Sequence, residues 1–416
     1  MNLSIKTVSK SCVVFSLALF PFWEVLTAQT IKLSGVFGPV MGFVKYAILI
    51  LPLIFSLAYA NPKLQRVKVL YITYIVYLLL HFIGDSGVYL YLESSRFLIL
   101  YPLVFILLYS FMEDIFDIHY NIILKIFLLQ FLFVSLMAIF EFFDQSILVF
   151  LYGKQLQDIP HITWFSGVRL ISVIGNPINL GAVLLILFTF VYFDCGFKSN
   201  VIKIALLILL SFPVLFTLSR MSTLLLGVLM TFLISREFRN NNLFFSIVLI
   251  LSVFLFIYLI FTSDIISDAI DIFVKRTENI FNPSEYTENL RVQHWNEALT
   301  RFDNVIYVFW GLGGGSSNPS EIMRDSFGSL IIENSFISQF VDYGIIGLIM
   351  YISIFCRVIY LGLFFCRKTT YVGPLIAMTL LLFFSFTNDY HRNLPFSLWF
   401  WFLIFYLERF KNNFRV

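Results

Sequence analysis

Apolar runs of about 16 to 22 residues follow one another along almost the whole chain, each near the ~20 residues that a helix needs to cross a ~30 Å hydrocarbon core. Strict alternation at every second position, the mark of a membrane β-barrel, is absent from these runs. The pattern predicts membrane helices over 12–28, 40–60, 69–84, 96–112, 122–143, 177–193, 201–218, 221–235, 243–262, 336–365, 371–387 and 396–408. That makes about twelve crossings of an all-α polytopic protein. One long polar interval, 263–335, breaks the rhythm with RTENIFNPSEYTENLRVQHWNEALTRF and GLGGGSSNP before ENSFISQFVDYGIIG resumes an apolar helix.

Composition agrees with the pattern. Hydrophobic residues make up 59% of the 416 and charged residues 13%, with mean hydropathy +0.89, which excludes an ordinary soluble domain. Basic residues collect on alternate connections: Lys63, Arg66 and Lys68; Lys198 and Lys203; Arg236 and Arg239; Arg367 and Lys368; and near the two ends Lys6, Lys10, Arg409, Lys411 and Arg415. The positive-inside rule makes these cytoplasmic, both termini included, and turns the long interval outward. The net charge of +3 is thus spread over loops. It forms no basic groove for nucleic acid. Pro21 and Glu24 interrupt the first apolar run and no small-x-small cleavage site follows, so it reads as a retained helix. Cys12, Cys195, Cys356 and Cys366 fall in or at the cytoplasmic edge of membrane segments, where neither a disulfide nor a CxxC metal site is expected.

No fixed-period repeat is visible, and one integral domain over 1–416 is the simplest organisation, with 263–335 as a long extracytoplasmic loop containing short helices. Shorter outward segments at 85–95, 144–176 and 388–395 join it. In RVQHWNEALTRF, Val292, Trp295, Leu299 and Phe302 share one face at helical spacing, with Glu297 and Arg301 turned away, as in a helix docked on a surface. A second helix is expected from Glu333, with Phe336, Ile337, Phe340 and Val341 on one side.

The outward polar residues carry the candidate chemistry. Arg220, in TLSRMST, lies in a turn between two apolar runs. Such an arginine either snorkels to lipid phosphate or holds a phosphate-bearing ligand with its planar fork. Arg291, Arg301 and Arg324 read as surface cations, although Arg291 borders the apolar face of its helix. His294 can titrate near neutrality. Glu333 suits a helix N-terminus, where a carboxylate is stabilised, or a general base. Arg169 and the trio Asp389, His391 and Arg392 complete the set. The glycines 311 and 313–315 lack the lysine of a P-loop and read as a flexible hinge. The tryptophans, among them Trp164, Trp295 and Trp310, read as interface anchors before carbohydrate platforms.

Taken in order, R-x5-GNP at 169–177, LSR at 218–220, R-x3-W at 291–295, the glycine run and ENSFISQFVDYGIIG resemble the O-antigen polymerase and O-antigen ligase superfamily over about 165–365. The resemblance implies a GT-C-like helical fold in the bacterial cytoplasmic membrane. It implies a metal-independent glycosyltransferase without cofactors, acting at the outer face on undecaprenyl-diphosphate-linked oligosaccharide. Arg220 and Arg291 match arginines that hold the diphosphate, with Arg169, His294, Asn334, His391 and Arg392 as candidate substrate-binding residues. Where the ligase branch has a histidine, this chain has Glu333 followed by Asn334, which favours polymerase over ligase. A chain-length regulator is the membrane partner that the resemblance implies. A lipid-linked oligosaccharide flippase is the rival of a different class. The intramembrane charges that it would need, Glu24, Lys45, Lys125, Glu141 and Arg357, are scattered along the sequence.

Overall fold

The computed structural model describes residues 2–34, 44, 47–48, 50–54, 68–81, 88–153, 169–239, 290–317 and 332–414, with backbone alone at 2–5, 88–97, 238–239 and 290–292. Among these residues regular structure is entirely helical. The helices are α1 (Asn2–Leu19), α2 (Trp23–Ser34), α3 (Val69–Leu80), α4 (Val88–Met112), α5 (Tyr120–Phe143), α6 (Ser146–Tyr152), α7 (Pro177–Asp194), α8 (Asn200–Phe216), α9 (Arg220–Arg239), α10 (Leu290–Thr300), α11 (Val305–Trp310), α12 (Ser335–Lys368), α13 (Gly373–Phe384) and α14 (Phe396–Asn413). Among the described residues, five segments are long and apolar enough to cross a membrane: Lys6–Lys32, Leu98–Phe116, Tyr120–Phe143, Pro177–Asp194 and Ser335–Lys368. The run expected at 243–262 and most of that at 40–60 lie outside the described residues.

One expectation at a helix end needs correction. The polar stretch 85–95 is not all connection, because α4 begins at Val88; Glu93 and Arg96 lower the hydropathy there without opposing helix formation. The interruption expected at Pro21 in the first run is present. A 3₁₀ turn at Phe20–Phe22, containing Pro21, separates α1 from α2, as expected where proline removes a backbone donor.

The chain divides into two compact units. The first comprises Met1–Pro21, Val36–Ile126 and Thr287–Val416. Its core is aromatic: Tyr71 meets Trp401 and Phe405, while Phe116 meets Tyr109, Phe402 and Phe405. Buried Glu408 on α14 accepts hydrogen bonds from Arg357 Nε at 2.8 Å, Arg357 Nη2 at 2.7 Å and Tyr71 Oη at 2.9 Å, so two opposite charges enter the core as a satisfied pair. At one end Asp114 binds Lys6 near the N-terminus and Arg409 near the C-terminus, each at 2.9 Å.

The second unit comprises Phe22–Gly35 and Phe127–Tyr286. Helix α7 is its centre, with every residue but Ile178 buried. Its phenylalanines meet those of α5, Phe190 against Phe127 and Phe188 against Phe131. Against α9 the fit is closer still. A Cβ on Gly181 would lie 2.3 Å from Ser222 Oγ, so only glycine allows this approach.

Candidate functional site

In the second unit the loop 169–176 leads into α7. Asn176 caps that helix, accepting from the backbone N–H of Ile178 at 2.8 Å and of Asn179 at 3.3 Å, with Pro177 at the first helical position. Arg169 is buried and its Nε donates to the Thr217 carbonyl at 2.8 Å. Leu170 N–H donates to the Phe216 carbonyl at 3.1 Å. Leu218 then takes a left-handed conformation, φ +50°, turning the chain so that Arg220 opens α9 half-buried. The R-x5-GNP and LSR stretches, some fifty residues apart in sequence, are therefore hydrogen-bonded neighbours.

Two carboxylates regarded as scattered converge on the same loop. Glu141 is buried and accepts from Ser172 N–H at 2.6 Å and from Ile171 N–H at 2.9 and 3.3 Å. A Cβ on Gly175 would lie 2.0 Å from Glu24 Oε2, so that carboxylate rests directly on the loop. Tyr152 closes the group, donating to the Ser172 carbonyl at 2.7 Å. Burial pushes its phenol well above the usual range, and the neighbouring Glu24 and Glu141 charges add to the shift.

In the first unit the centre is a bend in α12. Gly344 adopts φ 63° and ψ −169°, which interrupts the helix. The glycine run packs into that bend. Leu312 and Gly313 N–H donate to the carbonyls of Val341 and Asp342 at 2.8 and 3.1 Å. A Cβ on Gly311 would lie 2.4 Å from the Asp342 carbonyl oxygen, and one on Gly344 would lie 2.2 Å from that of Phe309. The expectation of a flexible hinge is thus overturned: these glycines permit close backbone contact, and Gly313, Gly314, Gly315 and Ser317 are buried.

Beneath the run is a charged cluster. The Asp342 carboxylate is fully buried and accepts from Gly315 N–H at 3.0 Å, Ser317 N–H at 2.7 Å and the guanidinium of Arg392. Arg392 also donates to the Ser317 carbonyl and, at 3.1 Å, to Ser317 Oγ, and lies 3.4 Å from Asp389. Asp389 in turn accepts from Ser338 Oγ at 3.0 Å. Next to Arg392, His391 is enclosed by Tyr351, Phe355 and Phe400. Burial, and secondarily the Arg392 charge, push its pKa down to about 3, so the ring is neutral.

The other candidates divide by exposure. The N-cap of α12 is Asn334, accepting from Phe336 and Ile337 N–H at 2.9 and 3.0 Å while its amide donates to the Phe386 carbonyl at 2.8 Å. That corrects the assignment of the capping role to Glu333, which precedes the cap and is half-buried. The short amide fits N-cap geometry better than a longer glutamate. Arg291 falls in the first turn of α10, its side chain outside the described residues. His294 is half-buried, 3.9 Å from Glu297, which pairs with Arg301 at 3.2 Å on the exposed side. The buried face of α10 centres on Ala298, packed with Ile332, Val341, Trp295 and Phe302. Leu299, expected on that face, is exposed. In the first unit the structure gathers Asn334, His391 and Arg392 around the start of α12; in the second it gathers Arg169 and Arg220. Asp342 and Glu141 were missed as organising residues. The signal was a lone acidic residue inside an apolar helix, expensive unless it has partners.

Residues 205–352, roughly a third of the chain, match the family described as O-antigen ligase. No curated protein matches. The matched stretch takes in Arg220, Arg291, the glycine run and Glu333, and bears out the resemblance to the O-antigen polymerase and ligase superfamily. The match agrees with the five long apolar helices found among the described residues, which have the length and composition of membrane spans.

Proposed function

We propose that this protein polymerises lipid-linked oligosaccharide repeat units at the outer face of the cytoplasmic membrane, both termini being cytoplasmic. The growing glycan, on undecaprenyl diphosphate, passes to a sugar hydroxyl of another lipid-linked unit. The bond from the anomeric carbon to the diphosphate oxygen breaks, its electron pair leaving with the diphosphate, and a bond to the acceptor oxygen forms. Glu333 takes the acceptor's proton as general base. Arg220 and Arg291 offset the charge that develops on the departing diphosphate. Supporting this reading is one observation above the rest: Glu333 stands half-buried directly before the Asn334 cap of α12, within the stretch that matches the family described as O-antigen ligase. A chain-length regulator is the partner this reading implies.

A second reading has specific support, since the matched family is described as O-antigen ligase. A ligase would hand the finished glycan to a lipid A core or to protein. Purified protein in proteoliposomes with lipid-linked repeat units as sole substrate separates the two. Polymer formed by the wild type and abolished in Glu333→Gln at equal protein abundance is the expected result. No polymer, with glycan transferred once a lipid A core or an acceptor protein is added, would establish ligase, and polymer undiminished in Glu333→Gln would remove that residue from the mechanism.

A further inference from the structure

Helix α11, VIYVFW, has no buried residue. Val305 is 70%, Ile306 66% and Phe309 54% exposed, and Trp310 is exposed as well. A soluble loop does not present six consecutive apolar and aromatic residues to water. The helix is nonetheless firmly seated at its C-terminal end. The Phe309 carbonyl lies against Gly344 at the bend of α12, and the Trp310 carbonyl lies 2.6 Å from Nε2 of buried His81. The His81 ring stacks on the Trp310 indole, centroids 4.3 Å apart and planes 19° apart.

What flanks that seat indicates what covers the open surface. Directly after the bend, Ile345, Ile346 and Ile349 are exposed on α12, a helix long and apolar enough to span a membrane, and so form a lipid-facing stripe. Directly before His81, Val76, Leu79 and Leu80 are exposed on α3. Three elements of the first unit thus bring exposed apolar residues to one place. The start of α11 is polar, with Asp303 exposed and Asn304 capping the helix by accepting from Ile306 N–H at 3.0 Å. An apolar hexapeptide ending in tryptophan, polar at its start, has the composition of a segment at the headgroup boundary, where tryptophan and tyrosine are enriched. Six residues at 1.5 Å rise cover only about 9 Å, too little to cross.

We infer that α11 is a membrane-interface helix whose exposed face is covered by phospholipid, so that the outward loop is anchored in the bilayer immediately before its glycine run. The inference rests on the membrane-spanning character of α12 and is independent of the proposed polymerase reaction. It sets the glycine run, and the head of α12 that the run grips, at headgroup depth.

Depth measurement by spin label tests this in phospholipid nanodiscs without glycolipid. The four cysteines are replaced by serine, and single cysteines at Ile306, Val305 or Phe309 are nitroxide-labelled, with Ile349 as lipid reference and Glu297 as aqueous reference. The expected result is about a several-fold preference for collision with oxygen over a water-soluble nickel chelate at the α11 sites, as at Ile349. Collision ratios equal to those at Glu297 would overturn the inference, since the helix would then lie in water. Low accessibility to both reagents would overturn it too, since protein would then cover the face. Any one of the three positions in a monodisperse variant suffices, so misfolding of another leaves the test decisive. Because no polyprenyl carrier is present, protection reports on phospholipid alone.

Discussion

In the first unit the buried carboxylate of Asp342 meets a guanidinium and two backbone N–H groups, whereas in the second the buried carboxylate of Glu141 accepts from backbone N–H groups of one loop. Each arrangement fixes a loop onto a long apolar helix. The difference lies in what each can lose. An ion pair in a low-dielectric interior leaves an uncompensated charge when either partner is removed. A carboxylate held by amide dipoles can be exchanged for a neutral acceptor of the same shape with less harm.

That contrast sets the order of expected effects. Arg392→Met should be the most damaging, at about 3 to 5 kcal/mol, because it strands Asp342; the double variant with Asp342→Asn should regain part of the loss. Thermal unfolding in detergent, followed by size-exclusion of the surviving monodisperse protein, measures both, and an additive double variant would break the proposed contrast. Gly344→Ala should come next, exceeding about 3 kcal/mol, since its backbone conformation is open essentially to glycine alone and a Cβ meets the Phe309 carbonyl oxygen at 2.2 Å. Gly196→Ala, in the second unit at φ +69° with nothing within 4 Å, isolates the conformational part and should cost only about 1 to 2 kcal/mol.

Glu141→Gln should cost about 1 to 3 kcal/mol, because the amide oxygen still accepts from one N–H and the other is left short of a partner. A loss as large as that of Arg392→Met would mean that the two carboxylates are equivalent after all. The last effect depends on pH and concerns His391. Because burial favours its neutral ring, the folded protein releases this proton more readily than the unfolded chain. Its contribution is therefore complete above about pH 6.5 and falls toward about pH 3 by up to ~1.4 kcal/mol per pH unit. In His391→Phe, which keeps an aromatic ring against Tyr351 and Phe400, that part of the acid slope should vanish. Superimposable stability profiles for wild type and variant over pH 4 to 7 would refute the assignment.

The hydropathy pattern located most of the described helices, because a helix in a bilayer satisfies its own backbone and advertises itself by length alone. It also singled out Arg169, Arg220 and Glu333 as polar residues beside apolar runs. What it hid was partnership. Glu24, Glu141 and Arg357 look like stray charges in a linear reading, yet two of them fix the 169–176 loop and the third completes a pair with Glu408. The glycine run misled for a related reason: glycine serves both mobility and close approach, and only the position of Asp342 and Phe309 distinguishes them. The identity of the α12 cap turned on one residue, since Glu333 and Asn334 both suit a helix start and the shorter amide occupies the position.

The bend at Gly344 also bears on how the chain enters the membrane during synthesis. Residues 345–368 alone exceed the ~20 that a membrane span needs. Residues 335–343 carry Asp342 and two carbonyls, at 341 and 342, that accept from the glycine run instead of serving only the helix. Since the glycine run is made before α12, its donors are already outside the ribosome when those carbonyls arrive. The leading arm of α12 is therefore completed by a segment outside its own helix, whereas the trailing arm has the length to span a bilayer by itself.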